Sequence, residues 1–89
     1  MINITDCGNT EVPAYLALQQ RGYAVTCSED GRYWTATSGH CVFSADNPVS
    51  LLGIAAMYET RGEEWKASDA EIECFIGQFD VYVNGEPEL

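Results

Sequence analysis

Basic residues are scarce in this chain: 4 lysines and arginines together, and 1 histidine, in 89 residues. Affinity for phosphate backbones and anionic lipid comes from lysine and arginine. Direct binding to nucleic acid or to a membrane surface is therefore excluded as a leading function. No apolar run approaches the length of a membrane span. The opening "MINITDCGNTEV" has neither a basic region nor a hydrophobic stretch. No signal peptide is expected there, and the expected compartment is the cytoplasm.

Reactive-site motifs are equally scarce. Phosphate loop, Rossmann fingerprint, H-E-x-x-H and G-x-S-x-G are all missing. The four cysteines, Cys7, Cys27, Cys41 and Cys74, include no C-x-x-C pair. Structural zinc has no support, and the thiols are expected to be reduced and buried. His40 and Cys41 are adjacent, so on a strand they point to opposite faces and cannot activate one another. No catalytic residue, metal or cofactor is expected, and the chain is read as a non-enzyme.

What is present is acid. Fourteen aspartates and glutamates give a formal net charge of −10. Residues 46 to 89 carry ten of these acids against two bases, so most of the imbalance lies in the C-terminal half. Such a field favours solubility and attraction to basic surfaces.

The apolar pattern predicts one α+β domain over residues 1–89, with a loose acidic tail at 84–89. "INIT" (2–5) is expected as a short edge strand. A helix over "EVPAYLALQQR" would start at an Asn9 or Thr10 cap and stop at Gly22. Val12, Tyr15, Leu16 and Leu18 would form its apolar side. "YAVTCSE", "RYWTAT" and "HCVFSA" then read as three strands joined at Asp30-Gly31 and Ser38-Gly39. Those two turns set Cys27 opposite Trp34, Val25 opposite Ala36, Ala36 opposite Cys41 and Trp34 opposite Phe43. The same apolar residues then share one face, while Thr26, Ser28, Tyr33, Thr35, Thr37, His40 and Ser44 line the other. A slip of one residue would destroy that segregation.

A second helix is expected after an Asp46 or Asn47 cap, with Pro48 at its first position and Gly62 at its end. Leu51, Ile54, Ala55 and Tyr58 form its stripe, and Gly53 would allow a close approach to a strand. The third helix is announced by Ser68 and Glu71 in a capping box. Ile72, Phe75, Ile76 and Phe79 follow at helical spacing. "VYV" (81–83) would add a last strand. The expected architecture is thus an antiparallel β-meander of three or four strands with two or three helices on one face. The central α-β-β-β-α order is similar in topology to the double-stranded-RNA-binding domain. "YAVTCSEDGRYWTATSG" resembles the first hairpin of HicB-type antitoxins. Both resemblances imply topology only, because an RNA binder's basic residues are missing.

The stretch "YETRGEEWKASDAEIE" (58–73) concentrates the chemistry. Glu59, Glu63, Glu64, Asp69, Glu71 and Glu73 lack the alternating spacing and central glycine of a calcium loop. Trp65 lies between two helices and outside both stripes. It reads either as a cap folded over the helix ends or as an aromatic anchor with a carboxylate rim. Tyr33, on the polar face, is either an exposed ring or a second contact. The expected partner is a protein with a basic surface, of the kind found on nucleases and nucleic-acid-binding proteins. The alternative is a structural subunit self-associating through the open sheet face, a homodimer where the first reading expects a monomer.

Overall fold

The computed structural model describes residues 1–5 and 8–79. Its elements are α1 (Glu11–Gln20), β1 (Ala24–Cys27), β2 (Trp34–Ser38), β3 (Cys41–Ala45), α2 (Pro48–Arg61) and α3 (Asp69–Phe79). The strands form one antiparallel sheet in the order β1-β2-β3, the expected α+β meander. The expected edge strand at 2–5 does not form; those residues have no regular structure and are exposed. The strand expected at 81–83 and the tail at 84–89 lie outside the described residues.

Helix ends follow local chemistry. At the C-terminus of α1, Gly22 takes φ 94°, Gly22 N–H donates to Gln19 C=O and Tyr23 N–H to Leu18 C=O. This is a Schellman closure, which a left-handed glycine permits, and its Leu18–Tyr23 contact belongs to the core. Asn47 caps α2 by accepting from Ser50 N–H at 2.8 Å, with Pro48 beginning the helix. Ser68 and Glu71 exchange the two bonds of a capping box at 2.8 and 3.2 Å.

The first hairpin has the expected register, Val25 opposite Ala36 and Cys27 opposite Trp34. The second is displaced by two residues: Ala36 faces Phe43, Trp34 faces Ala45 and Ser38 faces Cys41. The two-residue loop is therefore Gly39-His40, and His40 sits in the turn rather than in a strand. The first central position of a tight hairpin turn needs positive φ. Gly39, at φ 56°, meets that need more readily than Ser38 would. Because the displacement is even, the residues that remain in β2 and β3 keep their expected faces.

The core joins Leu18, Tyr23, Ala36, Leu51 and Ala55, with Val25, Trp34, Phe43, Ala45 and Leu52 packed against it. Tyr23, Phe43 and Tyr58 make a line of tilted rings with centroids 5.8 and 5.5 Å apart. Helix α1 buries Ala14 and Leu18, whereas Val12 and Leu16, expected inside, are exposed. The two pairs lie on opposite sides of the helix, so packing chose between equally apolar alternatives. Gly53 is exposed and approaches no strand. The thiols are also less buried than expected: Cys27 and Cys74 are exposed and Cys41 half-buried, all free. Cys7 lies outside the described residues. Cys27 occupies the last rung of β1, opposite Trp34.

Helix α3 is the outlier. Its stripe forms as expected, but no residue of it is buried.

Candidate functional site

The acidic stretch folds as a corner between α2 and α3. Gly62 ends α2 at φ 73°, and a 3-10 turn, Gly62–Glu64, delivers the chain to Trp65. Arg61 fastens the corner. Its Nε donates to Trp65 C=O at 3.0 Å, and its Nη2 reaches Lys66 C=O at 3.4 Å and the Glu71 carboxylate at 3.1 and 3.3 Å.

Trp65 is 45% exposed, so neither sealed inside nor freely projecting. It forms one wall of a cleft of about 270 Å³ together with Val42, Phe43, Ile54 and Tyr58. Val42 and Phe43 are consecutive on the edge strand β3, and Ile54 and Tyr58 are one turn apart on α2. The cleft therefore opens where the sheet edge, the covering helix and the corner meet. Lys66 Nζ sits 5.8 Å from the indole centroid, so the ring face already receives a cation. The neighbouring Cys41 thiol holds the Tyr58 hydroxyl above its ordinary range.

The six carboxylates divide into two groups. Glu59 belongs to the scaffold: Arg21 Nε and Nη2 donate to its Oε1 at 3.0 and 2.7 Å, and the Tyr23 hydroxyl donates to its Oε2 at 2.8 Å. These bonds tie the end of α1 to the end of α2. They also hold the Glu59 carboxyl below its usual pKa, with the Arg21 bond the largest cause. Tyr23 is pushed up to about 12, first by burial and then by its bond to Glu59. Glu71 is engaged in the same way. The Ser68 N–H, and then Arg61, hold its carboxyl below the usual range.

Glu59 and Glu71 are thus each paired with an arginine of the chain, which sets them apart from the other four expected rim carboxylates. Glu63, Glu64, Asp69 and Glu73 are exposed and take part in no ion pair among the described residues. Glu63 and Glu64 immediately precede Trp65; Asp69 and Glu73 lie one turn apart on α3.

Tyr33 is 63% exposed but stands apart. It lies just before Trp34, whose partner is Ala45, while Val42 of the cleft pairs with Thr37 at the other end of β2. Four residues of strand, roughly 13 Å, separate the two positions. It is not brought to the cleft.

Sequence reasoning missed two features. One is Arg61 as the fastener of the corner. The other is a second, largely apolar groove of about 300 Å³ lined by Glu11, Val12, Tyr15, Trp34 and Pro48. Both depend on segments meeting in space. Among the described residues no three His, Cys, Asp or Glu side chains converge to hold a metal ion. No helix among them is long and apolar enough to cross a membrane.

Set against protein-family models, curated proteins and solved structures, the chain matches none of them.

Proposed function

We propose that the chain is a small acidic binding protein that inhibits or regulates a partner with a basic surface. Toxin immunity proteins, antitoxins and phage-encoded nuclease inhibitors are of this physical type. The observation that carries the reading is the half-exposed Trp65 at an apolar cleft, preceded by two exposed carboxylates that take part in no ion pair among the described residues. Tryptophan is among the residues most enriched at binding hot spots, where it fills a pocket that the complex desolvates. Glu63 and Glu64 would steer a cationic partner, and Asp69 and Glu73 would extend the field along α3. The cleft would take an apolar side chain, and the indole face a lysine or guanidinium in place of Lys66.

The test is affinity capture of the partner at low and high salt, with the parent chain, a Glu63→Lys/Glu64→Lys variant and Trp65→Ala. The expected result is a salt-sensitive complex that both variants weaken at least about tenfold, a loss of at least about 1.4 kcal/mol. Glu29→Lys, a charge reversal away from the corner, is expected to bind like the parent. A salt-insensitive complex that tolerates reversal at 63 and 64 would overturn the proposal.

A second reading, self-association through the open sheet face, draws on Val42 and Tyr33, both exposed large side chains. Light scattering separates the two readings. A tight dimer disrupted by Val42→Lys or Tyr33→Lys supports self-association, and a monomer supports the first.

A further inference from the structure

We infer that the apolar stripe of α3 is the seat for a basic amphipathic helix of the partner. This rests on the reading above of a cationic protein partner and adds the form in which that partner is received. Ile72, Phe75, Ile76 and Phe79 recur at i, i+3, i+4 and i+7, a stripe that a helix normally buries. Here Phe75 and Phe79 are 47% and 54% exposed, and no α3 residue is buried. The two rings pack on each other, centroids 5.0 Å apart, so they form a continuous ridge. The stripe is organised yet incompletely covered: Ile72 and Ile76 are half-buried, while the two phenylalanine rings stay exposed.

Charge decides what covers it. Helix α3 carries Asp69, Glu71 and Glu73 and no lysine, arginine or histidine. Its only ion pair among the described residues is Arg61 with Glu71, at the base of the helix. A second copy of this chain would bring another net charge of −10 against it. A helix with an apolar face and lysines or arginines beside it matches the ridge and the acids together, the helix-in-groove mode of recognition.

The full chain is titrated with three labelled synthetic peptides, followed by fluorescence anisotropy. One is a Leu/Lys amphipathic helix, one a flexible Lys/Gly/Ser peptide of equal charge, and one a Leu/Glu amphipathic helix. The Leu/Lys helix is expected to bind at least about tenfold tighter than the flexible peptide, with no binding of the Leu/Glu helix. Phe75→Asp combined with Phe79→Asp should bring the Leu/Lys helix down to the level of the flexible peptide, while Phe75→Leu keeps its binding. Both variants should still unfold cooperatively, since neither ring belongs to the core.

Equal binding of the two lysine peptides, insensitive to the phenylalanine changes, overturns the α3 seat and leaves the acidic-surface reading standing. No binding of either lysine peptide overturns both. A parent dimer that Phe75→Asp dissolves makes a second copy the occupant and overturns the inference. Binding that appears only after residues 80–89 are deleted gives the seat to the chain's own C-terminal segment and overturns it too.

Discussion

Replacing Tyr23 with phenylalanine isolates one hydroxyl. The ring is buried among Leu18, Ala36, Leu51 and Ala55 and tilts against Phe43, contacts that phenylalanine retains. What is lost is the 2.8 Å bond from the hydroxyl to Glu59 Oε2. A hydrogen bond to a charged acceptor contributes about 1.5–3 kcal/mol. A value just under the lower end applies, because the Glu59 side chain remains 35% exposed and water can replace the hydroxyl. The expected loss at neutral pH is therefore about 1 kcal/mol, or about 4–8 °C in Tm for a domain of this size.

The alkaline limb gives a second signature of opposite sign. Tyr23 titrates at about 12 in the folded chain against an ordinary 10.0. A folded pKa above the unfolded one gives stability that is complete below about pH 10 and fades as pH rises toward about 12. The difference amounts to roughly 2–3 kcal/mol. Tyr23→Phe has no such group to ionise. Urea unfolding at a series of pH values should show the variant less stable at neutrality, with the two stability curves converging and meeting between about pH 10 and about pH 12. Curves that stay parallel, or a variant equal to the parent at neutral pH, would refute the Tyr23–Glu59 bond and with it the scaffold role of Glu59.

Leu18 is fully buried in α1 and shares the Schellman closure with Tyr23, so Leu18→Ala should cost about 2–5 kcal/mol in urea unfolding. Gly22→Ala forces an alanine to φ 94° and should cost about 1–2 kcal/mol, although a Cβ there meets no neighbour within 4 Å. Glu59→Gln should weaken the acid limb of the stability profile. The folded carboxyl titrates below its usual value, so its contribution is present above about pH 4.3 and lost as pH falls through the folded pKa. Lowering the pH should therefore narrow the gap between the parent and Glu59→Gln.

Features set by neighbours in sequence were readable from it. The Asn47-Pro48 start, the Gly22 stop and the Ser68–Glu71 box each depend on a few adjacent residues, and each formed as expected. The faces of the sheet were equally readable, because alternation survives any even displacement. Register in the second hairpin was not, since "TSGH" offers two adjacent turns and the glycine's conformational freedom selects the later one.

The apolar side of α1 was ambiguous for another reason. Ala14 and Leu18 oppose Val12 and Leu16, and only the packing of α2 and the sheet breaks the tie. The status of the acids shows both cases. The capping box already gave Glu71 an internal partner, whereas Glu59 meets Arg21 across 38 positions of sequence, a meeting no local pattern announces. The unburied stripe of α3 is the reverse case, a local pattern that the described fold does not satisfy.

The central claim is that the corner at Trp65 receives a cationic protein. A photo-crosslinking residue placed at position 65, in cells that make the chain at its native level, tests this most directly. The expected result is one principal cross-linked protein, with a basic surface, whose yield collapses when Glu63 and Glu64 are changed to lysine. Cross-links only to a second copy of the chain, or a yield that ignores the charge reversal, would contradict it.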